Sequence, residues 1–515
     1  MEEQEPKGIA LLWKTEDWLA VWAGFLIIIV ILAGLTVKTP KFKWVMDGEF
    51  ATYSKETAPA VDKLAATAGE KKEAALQADA TALKAALDTG DRKAVGDAVK
   101  KFLETAKAAT DEGLKKKAEK IGKEISGNAG SLLGKVFSGD NIQAAVVIGI
   151  AYLIITIIAL SLLGEKAGKV VAGFPVVFII AWLGQLIAGN YTINSTLGIE
   201  YVLWCLFIGL FVSNVLGLPE WLKPAVRTEF YIKSGLVVLG SGILFGEIVQ
   251  AGFYGLAQGI AVVLAVWYFT WWLAKRMKID DDFAAVLSSA VSICGVSAAI
   301  ATGGAIKADS KKISYVTSIV LLCAIPMMIF QPIIAKWAGM SDIVAGAWLG
   351  GTLDTSGSVV AAGELISPVA MKTGVIVKMS QNVLIGVAAF ILSIVWTLKA
   401  CKVSGGQQTP SAMEIWHRFP KFVLGFIIAS ILFSFIVAPQ TVSAVKGTLG
   451  GLRTWWFALA FTCIGLETHV GDLAKMEGGR PAIAFLVGQT FNIFWTLLLA
   501  WLLFGGVMFP VPNIQ

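Results

Sequence analysis

A dense succession of long apolar runs is the feature that most constrains what this chain can fold into. From Asn141 to residue 505, apolar stretches follow one another and are separated only by short polar loops. A run of about 18 or more residues with few charges is long enough to cross a bilayer as a helix. Over the whole chain 56% of residues are hydrophobic and 16% are charged, fewer than the roughly 25% charged residues of soluble domains. The sequence therefore predicts an all-α polytopic membrane protein.

Two regions of different composition precede this succession. The first apolar run, Trp18 to Leu35, follows an acidic start and lacks a small-residue cleavage site, which indicates an uncleaved anchor. From about Lys41 to Gly139 the chain is instead rich in Ala, Lys, Glu and Asp. We therefore divide the chain into an N-terminal transmembrane anchor over 1–40, a soluble Ala/Lys-rich helical domain over 41–139 and a membrane domain over 140–515.

The apolar residues of the Ala/Lys-rich region recur with helical spacing. Turn-forming residues at 89–91 and 110–113 separate the periodic stretches, so we expect a small amphipathic hairpin or bundle outside the membrane. Two interpretations remain open: a solvated spacer or oligomer-contact arm, and a domain that captures substrate. The residues that share a face in each stretch are Leu76, Leu83 and Leu87; Val95, Val99, Phe102, Leu103 and Ala106; and Leu114, Ala118, Ile121 and Ile125.

Charged residues are distributed unevenly between the loops. When the spans alternate across the membrane, one side receives most of the Lys and Arg, with Lys307, Lys311 and Lys312 as the main contrary residues. Because cytoplasmic loops carry excess Lys and Arg, this bias places the N-terminus in the cytoplasm and the helical domain outside the cell (inner) membrane. The formal net charge of +6 has the same origin and requires no nucleic-acid partner.

Signals for metal, cofactor and catalytic chemistry are weak. The five cysteines are scattered through apolar runs, and the two histidines, His417 and His469, lie far in sequence from the polar segments described below. This pattern does not fit a zinc or haem centre, and the sequence has no P-loop for ATP. We therefore expect a protein that is not an enzyme and that has no catalytic residue, no metal and no cofactor.

The segment from Ser288 to Gly304 departs from the composition of an ordinary span. Ser292, Cys294 and Ser297 surround Gly295, so small and hydroxyl side chains are unusually dense here. One interpretation is a close helix–helix contact, which small residues permit. The other is local unwinding, which frees backbone N–H groups at the start of a half-helix and suits an anion.

A second interrupted segment, Gly350 to Gly363, adds the carboxylate of Asp354. A carboxylate at bilayer depth is expensive unless it is paired or solvated, and it indicates a functional site by default. Asp354 could bind a coupling H⁺ or Na⁺, or it could cap the N–H groups of its own broken helix. Its hydroxyl and glycine neighbours are Thr355, Ser356, Gly357 and Ser358.

A third polar cluster lies at 378–382, near the start of the next apolar run. We expect the Lys378 side chain to extend to the membrane interface; the alternative is that it faces Asp354 or an anionic substrate. Gln381 and Asn382 are typical of interhelical hydrogen bonds or of a cavity lining.

Two stretches resemble each other at a distance. Leu239 to Glu247 and Thr462 to Glu467 both combine glycine, apolar residues and a terminal acid. Counted in spans they are an odd number of elements apart, which predicts opposite orientations and hence an inverted repeat. The alternative is that Glu247 and Glu467 are interfacial residues that end their helices.

Four motifs together resemble the sulfate exporter family of membrane transporters. The resemblance covers roughly 141–505 and implies an inverted-repeat transporter with two interrupted helices that cross near mid-membrane. The fold group it implies includes bile-acid symporters and sodium/proton antiporters. The motifs are Ser-Ile-Cys-Gly-Val-Ser-Ala at 292–298, Ile-Lys-Ala-Asp at 306–309, Gly-Gly-Thr-Leu-Asp-Thr-Ser-Gly-Ser-Val-Val-Ala-Ala-Gly at 350–363 and Val-Lys-Met-Ser-Gln-Asn-Val-Leu-Ile-Gly at 377–386.

These observations favour a secondary active transporter of a small anion such as sulfate, another oxyanion or a sulfonate. H⁺ or Na⁺ could couple the transport through Asp354, the protein could be a homo-oligomer in the lipid bilayer, and the alternatives are a cation exchanger and a membrane sensor. The candidate substrate-binding residues are Ser292, Cys294, Gly295, Ser297, Thr355, Ser356, Gly357, Ser358, Gln381 and Asn382.

Overall fold

In a computed structural model the chain is built from helices joined by short turns. The structure describes residues 11–35, 37–196, 200–404, 416, 419–468 and 479–514, so His417 and His469 lie outside the described residues. Four π-helical turns, Thr192–Thr196, Val212–Leu216, Ala290–Cys294 and Leu432–Ile436, lie beside or between the α-helices. The α-helices are α1 (Leu11–Lys14), α2 (Glu16–Leu32), α3 (Asp47–Glu70), α4 (Ala74–Thr89), α5 (Arg92–Ala108), α6 (Glu112–Gly130), α7 (Leu133–Val136), α8 (Gly139–Leu162), α9 (Ala167–Ala188), α10 (Tyr201–Phe211), α11 (Thr228–Gly240), α12 (Phe245–Arg276), α13 (Asp281–Ser289), α14 (Gly295–Ala305), α15 (Ser310–Trp337), α16 (Asp342–Thr352), α17 (Ser356–Glu364), α18 (Pro368–Asn382), α19 (Leu384–Ser404), α20 (Lys421–Ile431), α21 (Pro439–Glu467) and α22 (Arg480–Phe504).

The prediction of an all-α polytopic membrane protein is confirmed. Among the described residues, eight helical segments are long and apolar enough to cross a membrane. They include α8, α9, α12 and α22, and also the bent segment Asp281–Ala305 that combines α13 and α14. Such a protein must satisfy its backbone polar groups internally, because the hydrocarbon core offers no water as a partner.

The apolar runs over 230–250 and 254–274 predict two spans with a boundary near residue 252, and that boundary is wrong. Helix α11 already ends at Gly240, and α12 runs without interruption from Phe245 to Arg276. A Cβ atom at Gly240 would lie 2.3 Å from the carbonyl oxygen of Phe426, so α11 ends in a very close contact with α20. The Glu247 carboxylate then accepts a hydrogen bond from the Leu244 backbone N–H at 3.0 Å and caps the start of α12. Glu247 therefore begins a helix and does not end one.

The chain divides into two compact units. One comprises Met1–Val37, Ala151–Ala181 and Cys205–Gln515, and the other comprises Lys38–Ile150 and Trp182–Trp204. The predicted domain boundaries at 40 and 139 stay predictions. Helix α2, the predicted anchor, packs against α11 and α20 within the first unit.

The second unit contains the Ala/Lys-rich helices α3 to α6. Gly90 ends α4 in a left-handed conformation with φ 67°, and the Asp91 and Asp111 side chains cap α5 and α6 at the two predicted breaks. Most of the residues of the predicted apolar faces are buried in one core, and Leu103 and Ile121 are partly buried against it. The apolar faces of these helices therefore pack against one another within this region, as amphipathic helices require.

Helix α3 is tied to the segment after α9 inside this second unit. The Glu49 carboxylate accepts hydrogen bonds from Thr192 Oγ1 at 2.5 Å, the Met46 backbone N–H at 2.7 Å and Asn190 Nδ2 at 3.0 Å. Burial raises the pKa of Glu49, but these hydrogen bonds outweigh it and hold the pKa below its usual value.

Candidate functional site

The first interrupted segment is helical on both sides of a sharp break at two residues, Cys294 (φ −153°, ψ 83°) and Gly295 (φ 4°, ψ −96°). Helix α13 passes into the π-helical turn Ala290–Cys294, and α14 begins at Gly295. A Cβ atom at Gly295 would lie 2.3 Å from Val320 Cγ1 and 3.1 Å from both the Cβ and the carbonyl oxygen of Asp354. The glycine is therefore required by close approach, and the two interrupted segments are in direct contact at this point.

The second interrupted segment has a longer break, in which residues 353–355 leave the helix. Helix α16 ends at Thr352, Leu353 and Thr355 have extended backbones with ψ 135° and 147°, and α17 begins at Ser356. The Thr355 hydroxyl accepts a hydrogen bond from the Ser358 backbone N–H at 3.1 Å, so Thr355 caps α17. The alternative in which Asp354 serves as this cap is wrong.

Buried side chains from other helices satisfy the carbonyl groups of the π-helical turn. Lys378 Nζ donates to the carbonyl of Ile293 at 2.6 Å, and Gln381 Nε2 donates to that of Ser292 at 2.9 Å. Asn492 Nδ2 of α22 donates to the carbonyl of Val291 at 3.1 Å. Three successive carbonyls thus have three side-chain partners, which a low-dielectric interior demands.

The carbonyl groups of α16 before the second break also accept hydrogen bonds from side-chain amides. Gln489 Nε2 donates to the Thr352 carbonyl at 2.9 Å, and Gln381 Nε2 also lies 3.4 Å from the Gly351 carbonyl. One turn earlier, Gln258 Nε2 of α12 donates to the Ala347 carbonyl at 2.8 Å. Gln381 is therefore a direct bridge between the two interrupted segments.

The expectation that Lys378 extends to the membrane interface is wrong. Its side chain is only 1% exposed, and its Nζ also donates to Gln381 Oε1 at 3.1 Å. An ammonium group has three N–H donors and no acceptor, so it can donate to more than one of the oxygen atoms around it. The positive charge lies inside the protein, where it acts on the electrostatics of both interrupted segments.

Asp354 is the most unusual side chain of the site. It is 2% exposed, and its Oδ2 atom has no hydrogen-bond partner among the described residues. A buried unpaired carboxylate oxygen is expensive, and it is found chiefly where a ligand, an ion or a proton is bound during function.

A cavity of about 400 Å³, including space open to solvent, lies at the start of α14 and α17. Six of the ten predicted substrate-binding residues line it. The other four do not line it. Ser292 and Gln381 are buried and make hydrogen bonds within the interrupted segments, and Gly295 packs against Val320 and Asp354. Ser358 lines a neighbouring cavity of about 420 Å³. The lining residues are Cys294, Val296, Ser297, Thr355, Ser356, Gly357, Asn382 and Ile385, with Glu229, Ile232 and Lys233 of α11 and Pro420 and Phe422 opposite.

Asn382 adds an unsatisfied polar group to this wall. It is 1% exposed, its Nδ2 donates to Ser356 Oγ at 3.2 Å, and its Oδ1 has no partner among the described residues. Because the two amide positions are interchangeable and the serine hydroxyl can donate or accept, Asn382 can present either an oxygen or an N–H₂ group to the cavity.

Sequence reasoning missed the side chains that α12 and α22 contribute. Gln258, Gln489, Asn492 and Thr496 are buried, and Thr496 Oγ1 donates to Asn492 Oδ1 at 2.7 Å. The signal was available, because 489, 492 and 496 are spaced to share one face of an otherwise apolar helix.

Known proteins match the membrane region of the chain. A family model described as Conserved hypothetical protein 698 matches residues 172–485. A UPF0324 membrane protein of Rhodopirellula baltica is 39% identical over 353 residues, which are 67% of this chain and 65% of that protein. A UPF0324 membrane protein of Nitrosomonas europaea is 31% identical over 392 residues, 66% of this chain and 79% of that protein.

More distant relatives include the UPF0324 inner membrane protein YeiH of Escherichia coli, which is 28% identical over 54% of this chain and 74% of its own length. The chain spans 65% and 62% of the first two relatives it matches, slightly less than two thirds of their length. No solved structure matches the chain.

Proposed function

The chain belongs to the membrane-protein family described as Conserved hypothetical protein 698, and we propose that within this family it is a secondary active transporter of a small anion. The observation that carries the proposal is that two helices begin at one cavity. Ser297 lies in the first turn of α14, Ser356 and Gly357 lie in the first turn of α17, and all three line the cavity.

Helix N-termini favour negative charge for two reasons. Their first N–H groups lack partners within the helix, and the aligned peptide dipoles place about +0.5 of an elementary charge at each N-terminus. Helices α14 and α17 have 11 and 9 residues, enough for this effect. Sulfate, another oxyanion or a sulfonate offers several acceptor oxygens to such a pair of helix ends.

The polar side chains around the helix ends add independent support. The hydroxyl groups of Ser297, Thr355 and Ser356 are donors, and the unsatisfied amide of Asn382 points to a ligand that completes its hydrogen bonds.

Alternating access fits the way the helices next to the site are packed. Cβ atoms at Gly346 and Gly350 of α16 would lie 2.4 Å from the carbonyl oxygens of Ala370 and Gly374 of α18, so these helices pack almost backbone to backbone. We propose that the interrupted segments and α18 move as one rigid body and expose the cavity to each side in turn. In this proposal the N-terminus is cytoplasmic, Asp354 binds the coupling ion and the protein carries out no enzymatic chemistry.

The test is flux into proteoliposomes with a panel of labelled anions, with and without imposed H⁺ and Na⁺ gradients. We expect uptake of at least one small anion, and a half-saturation concentration raised about tenfold by Ser356→Ala, because a donor at the site is lost. Thr490→Val is the matched control, since that hydroxyl bonds within its own helix and is exposed. Absence of flux for every anion, together with strong cation exchange, would reject the proposal.

Cation exchange is the second candidate, and the unpaired Oδ2 of Asp354 favours it. A dehydrated Na⁺ needs several oxygen ligands, whereas several carbonyls near Asp354 already accept hydrogen bonds from amide or ammonium groups. An Asp354→Asn protein distinguishes the two functions. Anion flux that persists with altered H⁺ or Na⁺ dependence supports coupling, whereas complete loss of cation exchange without any anion flux supports the second candidate.

A further inference from the structure

Lys233 of α11 is a cationic side chain in the lining of the cavity, and two carboxylates form ion pairs with it. Its Nζ lies 2.8 Å from Asp17 Oδ1 and 3.1 Å from Glu229 Oε2. Lys233 and Glu229 line the cavity into which α14 and α17 point their N-termini. An ammonium group has three N–H donors, so the two carboxylates occupy two of them.

The two carboxylates are held very differently. Asp17 belongs to α2, which packs against α11 and α20, and its Oδ2 also accepts a hydrogen bond from the Lys421 backbone N–H at 2.9 Å. Glu229 lies one helical turn before Lys233 on the same helix, and its side chain is 41% exposed. An exposed pair of this kind within one helix is weak, whereas the Asp17 contact ties two further helices together.

We propose that Lys233 is the cation that receives the transported anion, that Glu229 is the counter-ion which the anion displaces, and that Asp17 is the fixed counter-ion that positions Lys233. This inference rests on the proposed anion transport and assigns three roles within the same site. It also gives the N-terminal helix α2 a role in substrate binding, although Asp17 precedes the residues 172–485 that the family model matches.

Charge balance is the reason that displacement is needed. One ammonium in contact with two carboxylates leaves the cluster with a net charge of −1, which opposes an anion that approaches the helix ends. If Glu229 turns away, the anion takes the place of its carboxylate on Lys233, so the net charge of these three groups is unchanged for a monovalent sulfonate and one unit more negative for sulfate. Glu229 has room to turn, because it also lines the neighbouring cavity with Thr228 and Ile232.

The experiment measures the charge preference of the cavity without requiring the natural substrate. Ser356→Cys, introduced into a chain whose five cysteines are replaced by alanine, provides a thiol in the cavity wall. The rate constants for modification by the anionic 2-sulfonatoethyl and the cationic 2-(trimethylammonium)ethyl methanethiosulfonates are measured, and their ratio is compared between variants in nanodiscs.

We expect Glu229→Gln to raise the anion-to-cation ratio about tenfold, because the competing carboxylate of Lys233 is lost. In a Lys233→Gln background the same substitution should raise the ratio by no more than about threefold, because only the general field of one carboxylate is lost and no cation is released. Glu220→Gln is the matched control, since that acid is exposed and pairs with Lys223 on the surface. Size-exclusion profiles and melting temperatures confirm that each variant is folded.

Three results would overturn the inference: an unchanged ratio in Glu229→Gln, an equal gain without Lys233, or no modification of the cavity thiol in any variant. Flux measurements with labelled sulfate and methanesulfonate keep this outcome separate from the proposed function. Anion flux without the Lys233-dependent gain rejects only the inference. A Lys233-dependent gain without flux of any anion rejects the transport function and leaves Lys233 as an anion site.

Discussion

The two interrupted segments leave the regular helix in different ways. The first stays helical through the π-helical turn and then breaks at only two residues, Cys294 and Gly295, and α14 begins with no side-chain cap from Cys294. The second leaves the helix over three residues, 353–355, and Thr355 caps the new helix with its hydroxyl. Both have glycine, serine and threonine in similar density, yet one break is short and uncapped and the other is longer and capped.

The difference shows that composition marks an interruption but does not decide its form. In the first segment side chains of other helices donate to three successive carbonyls just before the break. In the second a local cap starts α17, while partners from α18 and α22 donate to the carbonyls at the end of α16. Long-range donors therefore serve both segments, and the local difference between them is the hydroxyl cap of Thr355.

The largest expected effect tests the contact between the segments. Gly295→Ala should destabilise the protein by about 3 kcal/mol or prevent folding, because its Cβ would lie 2.3 Å from Val320 Cγ1 beside the Asp354 backbone. Gly357→Ala in the second segment should cost less than about 1 kcal/mol, since its nearest neighbours are side-chain carbons of Ile232 and Ile464 at 3.5 Å. Thermal unfolding in detergent measures both. Equal effects would contradict the tight contact at Gly295.

The next effect concerns Gln381, whose side-chain amide bridges the two interrupted segments. Gln381→Leu should destabilise by about 2–3 kcal/mol, because it removes the donor to the Ser292 carbonyl and the weaker contact to Gly351. Asn492→Leu and Gln489→Leu each affect a single segment and should cost about 1–2 kcal/mol. Chemical unfolding in mixed micelles ranks the three variants. A Gln381 variant no worse than the other two would show that the segments are independent.

A moderate effect is expected from the buried charges. Lys378→Met leaves the Ile293 carbonyl without its donor and removes the cation near Asp354, so it should destabilise by about 2 kcal/mol. In an Asp354→Asn background the same substitution should cost about 1 kcal/mol less, because no buried carboxylate remains uncompensated. A double-mutant cycle on melting temperatures measures this coupling. Additive effects would mean that Lys378 serves only the first segment.

The smallest effect tests the cap. Thr355→Ala should lower stability by about 1 kcal/mol, whereas Thr355→Ser, which keeps the hydroxyl, should change it little. Cys294→Ala at the corresponding position of the first segment should have no capping effect, because the Cys294 side chain accepts no hydrogen bond from a backbone N–H of α14. If both alanine variants cost the same, the proposed difference between a capped and an uncapped helix start does not hold.

Much of the architecture could be predicted from the sequence because hydropathy and helix signals are local. The long apolar runs, the two interrupted segments and the breaks beside Gly90 and Asp111 all follow from neighbouring residues. The turn between α11 and α12 was missed although Gly240, Ser241 and Gly242 form a local turn signal. The close contact of Gly240 with the Phe426 backbone, almost 190 positions away, could not be predicted locally.

The candidate site could likewise be predicted only in part. Glycine, serine and the carboxylate of Asp354 identified the two segments, and six predicted residues line one cavity. Which donor serves which carbonyl was not predictable, because Lys378 and Asn492 reach the first segment from helices that follow it by about 85 and 200 residues. The roles of Asp17 and Glu229 depend likewise on α2 packing beside α11.

The sequence by itself determined that this is a membrane protein with two helices that cannot be regular. Hydrocarbon accepts only apolar surfaces and internally bonded backbones, so departures from that composition are visible residue by residue. Only the tertiary structure decided that the first segment breaks at two residues and the second at three, and that both α14 and α17 begin at one cavity. Those outcomes depend on hydrogen bonds and close contacts between residues far apart in the chain, which local composition does not encode.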